Sequence, residues 1–228
     1  MSYEKLLRKS FGYLKHPNLY TIRHLKETDT KEATKIISWF FNESYVHESM
    51  RLNRLSSQRA AEFYVESFAF NKQSVGIIEN KTNKFVGIGL IDIIDYGKQL
   101  EKIKPPDELK YHLSLQKFAE GNVINGKSQD YGKFMSMKML LVYPKHSASG
   151  IGREVVNYGV EVAKMAKCRQ AGATVSTEIS LKMFNNLDFK IYSKFYIDSF
   201  SFPQTGFKPF RKIDQKNKNY YYIVKDLT

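Results

Sequence analysis

Two rhythms of apolar residues run along the chain, one of period two and one of helical spacing. "YTIRHL" (20–25) alternates apolar with polar as a half-buried strand does. Asp29 followed by Glu32 reads as a helix start, and Ala33, Ile36, Ile37, Phe40 and Phe41 then recur at helical spacing. An amphipathic helix is therefore predicted over 30–42, and a second over 56–70, started by Ser56 or Ser57. "SVGIIEN" and "FVGIGLIDII", joined by the polar turn Asn80-Lys81-Thr82-Asn83, predict a hairpin. Residues 95–132 are polar and carry Pro105-Pro106. They predict an excursion from the sheet, with a short helix from Asp107 to about Ala119 and a loop after it.

The longest apolar strand pattern is "KFMSMKMLLVYP" (133–144), ended by Pro144. Small residues follow, and then Ile151, Val155, Tyr158, Val162 and Met165 fall on one helical face, predicting a helix from Gly150 to Lys167. Gly172 reads as that helix's exit, "ATVSTE" as a short strand and "ISLKMFNN" as a short helix. "FKIYSKFYIDSF" and "NYYYIVKDL", rich in Tyr and Phe, read as closing strands. No repeat and no Pro/Gly linker interrupts this order, so one α+β domain over 1–228 is expected, with 1–18 as an N-terminal extension.

Composition narrows the class. An apolar content of 42% excludes a disordered chain, and no apolar run is long enough to span a membrane. The start has no apolar signal region and Cys168 is the single cysteine, so a cytoplasmic protein without a disulfide framework is expected. No Cys/His cluster has metal-ligand spacing, and no metal is expected. The charge of +13 favours an anionic partner: a nucleic acid, a membrane surface or a polyphosphate cofactor. The basic residues, densest over 208–218, form no single stripe and accompany no nucleic-acid-binding motif.

The stretch from Ser147 to Arg153 carries chemistry. A strand, a small-residue turn and a helix start leave backbone N–H groups unpaired at the positive end of the helix dipole, which suits a pyrophosphate. Arg153 adds a charge to that end. The Lys-Ser/Thr of a nucleotide P-loop is missing, and Val155 stands where a dinucleotide fingerprint has its third glycine.

The order of elements and this turn resemble the GNAT superfamily of acetyl-CoA-dependent N-acyltransferases. The superfamily's pattern, Arg/Gln-x-x-Gly-x-Gly/Ala after Val-x-Pro, matches Ser147-Ala148-Ser149-Gly150-Ile151-Gly152 after Val142-Tyr143-Pro144, with Ser147 in place of Arg or Gln. Within it the chain resembles the insect and nematode arylalkylamine N-acetyltransferases. "YVHESM" puts Glu48 at that branch's acid and Ser49 at its proline, and "VSTEISLKMFNNLDF" puts Ser176 and Ser180 on its two serines and Asp188 on a glycine. The resemblance implies a mixed, mostly antiparallel central sheet with helices on both faces. It also implies acetyl transfer from acetyl-CoA to a small primary amine of dopamine, tyramine, octopamine or serotonin type.

The resemblance implies roles as well. An alkylamine with pKa near ~10.4 is almost wholly protonated at neutral pH, so a base must take its proton. Glu48 is implied as that base, with Glu43 as the alternative and Glu178 third. Ser180 and Ser176 would attend the departing thiolate, since Phe184 occupies the position where many GNAT proteins carry tyrosine; Ser180 also reads as a helix cap. The CoA pantetheine would run along Leu140, Leu141 and Val142, and its phosphates would meet Ser147, Ala148, Ser149, Gly150, Ile151, Gly152 and Arg153. Tyr45, Phe195, Tyr196, Phe200 and Phe202 are expected walls of an amine pocket. A monomer or weak dimer is expected, with no specific nucleic acid and no membrane partner. Transfer to a polyamine or amino acid, a CoA-binding protein without turnover, and a nucleic-acid-binding module stand as alternatives.

Overall fold

A computed structural model describes residues 2–11, 18–43, 53–95, 104–125, 132–202, 205–210 and 219–227, those of 10 and 121–125 by backbone alone. The expected elements are all present, on a seven-stranded sheet of order β1-β2-β3-β4-β5-β7-β6. The strands are β1 (Tyr20–His24), β2 (Val75–Glu79), β3 (Lys84–Asp95), β4 (Lys133–Val142), β5 (Cys168–Val175), β6 (Lys190–Tyr196) and β7 (Asn219–Asp226). Every neighbouring pair is antiparallel except β4–β5, which is parallel. The sheet is the mixed, mostly antiparallel one expected.

Helices cover both faces: α1 (Tyr3–Phe11), α2 (Thr30–Glu43), α3 (Arg54–Tyr64), α4 (Lys110–Asn125), α5 (Ile151–Met165) and α6 (Glu178–Asn185). One face packs α5, α6 and α1 on Met135, Met137 and Ile223; the other packs α2 and α3 on Ile88, Leu90, Met139 and Leu141. The 3.6-residue repeat of α5 accounts for the first layer, since Ile151, Val155, Tyr158 and Val162 are all buried. Within the expected N-terminal extension, Leu6 of α1 is buried and Phe11 packs on Tyr158, with ring centroids 5.4 Å apart.

Several boundaries differ from the sequence reading for local reasons. Asp29 does not open α2; its carboxylate accepts from the Arg23 guanidinium at 2.6 and 2.8 Å and from the Lys26 N–H at 2.8 Å, tying the helix entry to β1. Asn53 caps α3 by accepting from the Ser56 N–H, so the helix starts before Ser56 and then loosens into a π-helical turn over Val65–Ala69. The excursion's helix is longer than expected, running to Asn125. It buries Leu115 and Ala119 beside Phe134, Tyr220 and Tyr222, while Leu109, in the 3-10 turn just before it, packs among the α2 and α3 residues.

Gly172 ends no helix. It lies within β5, where a Cβ would come 2.7 Å from Phe134 Cζ and 2.9 Å from Tyr222 Oη. The α5 exit is made instead by Ala166 and Lys167, the latter in a left-handed conformation at φ 59°.

Candidate active site

Two irregularities in β4 coincide. Along β3 its register passes from Leu90↔Met139 to Ile91↔Met137, so Lys138 is an extra, bulged residue. Along β5 its pairing stops at Met137↔Ala173. Beyond that point β4 continues to Val142 and β5 to Val175 without meeting, which opens a cleft through the sheet. Bulges bend a strand and end its pairing, and they collect beside active sites for that reason.

The cleft, of ≈ 170 Å³, lies between Lys138–Leu141 on one side and Ala173–Thr177 on the other. Phe40 of α2, His112 and Gln116 of α4, Ser180 and Phe184 of α6 and Tyr220 of β7 complete its lining. The second edge of β4 past Met137 carries backbone groups that β5 does not pair, and Leu140 and Leu141 line the opening there. An extended chain with amide groups fits such an edge in the way an added strand would. Val142 lies farther along the same edge, half-buried and packed in the α5-side core.

At the end of β4 the turn is a 3-10 helix, Pro144–Ser149, rather than an open loop. Ser147 Oγ donates to the Pro144 carbonyl at 2.8 Å and Ser149 Oγ to the His146 carbonyl at 2.6 Å, so both hydroxyls brace the turn. Buried His146 holds it to β1 through a 3.0 Å hydrogen bond with the Tyr20 hydroxyl. Gly150 then sits at φ 81° as the N-cap of α5, with no side chain to cap the helix and open space where a Cβ would be. Gly152 lies against Met183 Sδ and Leu140 Cδ2, whose distances to an added Cβ would be 3.5 and 3.8 Å. Uncapped N–H groups behind bare backbone are what a phosphate needs, and Arg153 is exposed on the same first turn beside exposed Ala148 and buried Ile151. The strand edge thus suits an extended amide-bearing chain, and the helix start suits an anion.

On the opposite wall Thr177, not Ser180, is the cap of α6. Its Oγ1 accepts from the Ser180 N–H at 3.2 Å and donates to Ser180 Oγ at 2.9 Å. Ser180 Oγ therefore receives a hydrogen bond and keeps its own proton to give. Ser176 lies half-buried in the same lining. Glu178 faces elsewhere and accepts from the Tyr221 hydroxyl at 3.0 Å. Asp188, in the family's glycine position, adopts the left-handed φ of 63° that a glycine would take there.

Glu48, Ser49 and Tyr45 lie outside the described residues, as do 211–218 of the basic stretch. Glu43 is exposed on the last turn of α2, three residues beyond Phe40 of the lining. The expected aromatic walls are elsewhere: Phe195 and Phe200 pack on Phe118, Phe202 on Tyr111, and Tyr196 is exposed on β6. Phe40, Phe184 and Tyr220 take their place. Lys138, His112 and Gln116 were not foreseen. Lys138 carried a signal, since it and Ser136 alone interrupt the apolar run of β4 with polar groups. His112 is buried, and desolvation lowers its pKa to about 4, leaving a neutral imidazole on the cleft wall.

Among the described residues no helix is long and apolar enough to cross a membrane, and no cluster of metal-ligating side chains forms. No protein-family model matches the sequence, and no curated protein does. Solved structures do match. The C-terminal condensation domain of Ebony, in complex with beta-alanyl-dopamine, superposes with a TM-score of 0.75 at 15% identity, over 93% of this chain and 99% of that one. Arylalkylamine N-acetyltransferase 2 from Aedes aegypti gives 0.70 at 14% identity, over 92% and 100%. The polyamine N-acetyltransferase of Drosophila melanogaster, which forms N-acetylagmatine, gives 0.69 at 9% identity, over 91% and 100%. With a sheet that parts at Met137 and a glycine-capped helix after it, the chain has the GNAT fold shared by these N-acetyltransferases.

Proposed function

We propose that the chain is an acyltransferase that uses acetyl-CoA to acetylate a small primary amine bearing an aryl group. The observation that carries this reading is the through-sheet cleft, with the glycine-capped start of α5 at the end of one wall and serine hydroxyls on the other. CoA enters along the free edge of β4, its pyrophosphate on the N–H groups of Gly150, Ile151 and Gly152 with Arg153 beside them. The thioester then lies between Lys138–Leu141 and Ser176–Ser180. The amine approaches from the α2 and α4 side, against Phe40 and Tyr220.

In the reaction the amine nitrogen attacks the thioester carbonyl carbon, a C–N bond forms and the C–S bond breaks. The nitrogen's proton passes to Glu48, or to Glu43 at the end of α2, and the departing thiolate accepts a hydrogen bond from the Ser180 hydroxyl, which Thr177 orients, and takes its own proton from solvent on release. Holding both reactants in one cleft removes much of the entropic barrier of a bimolecular step.

Calorimetric titration of acetyl-CoA tests the donor site. Gly150→Val forces a β-branched residue to φ 81°, displaces the start of α5 and is expected to weaken binding at least ~10-fold while the chain stays folded. Undiminished binding by that variant would remove the phosphate site from the N-terminus of α5.

A further inference from the structure

The bulge that parts β4 from β5 also sets a lysine in the cleft's lining. Because Lys138 is the extra residue, it and Met139 both turn to the face that carries α2 and α3. Its ammonium lies 5.6 Å from the Phe68 ring centroid on that face, and the residue lines the cleft. No described residue forms an ion pair with it, and none of the lining residues is an Asp or a Glu. Facing it on α4 are His112, neutral through burial, and the amide of Gln116. The described lining of the acceptor side therefore holds one full charge, and it is positive.

A second cation placed there meets repulsion, whereas an anion gains a charge-assisted hydrogen bond in a partly desolvated site. The contact with Phe68 is no substitute, since an ammonium over a ring is held more weakly than one on a carboxylate. Glu43 follows Phe40 of the lining by one helical turn at the exposed end of α2. An acceptor whose ammonium faces the α2 end and whose carboxylate meets Lys138 is a zwitterion.

We propose that Lys138 determines acceptor specificity by binding a carboxylate carried by the amine, so that the acceptor is an amino acid of aromatic class and not a bare arylalkylamine or a polyamine. This rests on the acyl-transfer reading above and narrows its substrate.

The test uses the full chain, acetyl-CoA and amine pairs that differ only by a carboxylate: tyramine and tyrosine, tryptamine and tryptophan, propylamine and γ-aminobutyrate. The wild-type chain is expected to favour the carboxylate-bearing member of an aromatic pair by at least ~10-fold in kcat/KM. Lys138→Met should bring that ratio toward unity, and Lys138→Glu should invert it. Thermal melting checks each variant's folding, and Lys138→Gln, which keeps a polar side chain of similar reach, stands in for one that melts early. Preference for the bare amines in the wild-type chain, or a ratio unmoved by Lys138→Glu, overturns the inference and leaves acyl transfer standing. Equal losses for both members of each pair place Lys138 on the acyl group and overturn it too. Absence of turnover with every amine removes the acyl-transfer reading, and this inference with it.

Discussion

Replacing His112 by Gln should change how the fold responds to acid. The imidazole is buried on α4, edge-on to Phe41 at 6.2 Å between centroids, and burial lowers its pKa to about 4 from an ordinary 6.5. A histidine lowered in the folded state favours its neutral form there, so below pH 6.5 the unfolded chain binds more protons. Stability from this group is complete above the unfolded pKa and falls as pH drops from 6.5 toward 4. The slope is about 1.4 kcal/mol per pH unit, which amounts to about 2 kcal/mol at pH 5. His24, also lowered by burial, titrates in both proteins and cancels from the difference. Urea unfolding, read from the fluorescence of Trp39, which packs edge-on against Tyr143 at 4.7 Å, reports the change. The Gln variant's stability should fall less steeply than the wild type's between pH 6.5 and 5 by that amount. Parallel curves would refute a buried, neutral His112.

Asp29→Asn removes the charge that pairs Arg23 and should cost about 1–3 kcal/mol at pH 7. The guanidinium holds that carboxyl below the ordinary carboxylate range, so its stabilisation is present above pH ~4 and the two proteins should converge as pH falls further. Gly172→Ala drives a Cβ onto Phe134, Tyr222 and the Ile223 carbonyl, and a melt should show a loss of about 1–3 kcal/mol. Arg153→Ala should weaken CoA binding several-fold, more at low salt than at high, and Ser147→Arg should tighten it by a similar factor; titrations at two salt concentrations check both. Glu48→Ala should lower kcat/KM by about one to three decades at neutral pH and recover as pH nears the amine's own pKa. If Glu43→Ala shows that pH-dependent loss instead, the base is Glu43.

The spine of the fold was legible because local chemistry agrees with it. The apolar run of β4, its stop at Pro144, the glycines and the regular steps of α5 each signal the same strand–turn–helix unit. What was not legible depends on contacts far apart in sequence. A glycine in isolation reads as punctuation, but Gly172 is small because Phe134 and Tyr222 cross its strand. The excursion looked peripheral because α4 buries few residues among many polar ones, yet those few put His112 and Gln116 on the cleft wall. Lys138 becomes a cleft residue through a register shift between β3 and β4, which no pattern within either strand records. The serines of "VSTEIS" were recognised as a pair, whereas the capping role of Thr177, which frees Ser180 from that task, needed the geometry of the turn.

Steady-state release of free CoA thiol from acetyl-CoA, measured with and without amines, tests the central claim most directly. Acyl transfer in this cleft predicts saturable release that requires an amine and yields N-acetylated product in equal amount. Acetyl-CoA that binds but releases no thiol in an amine-dependent way would contradict the account and leave a protein that holds CoA without transferring its acyl group.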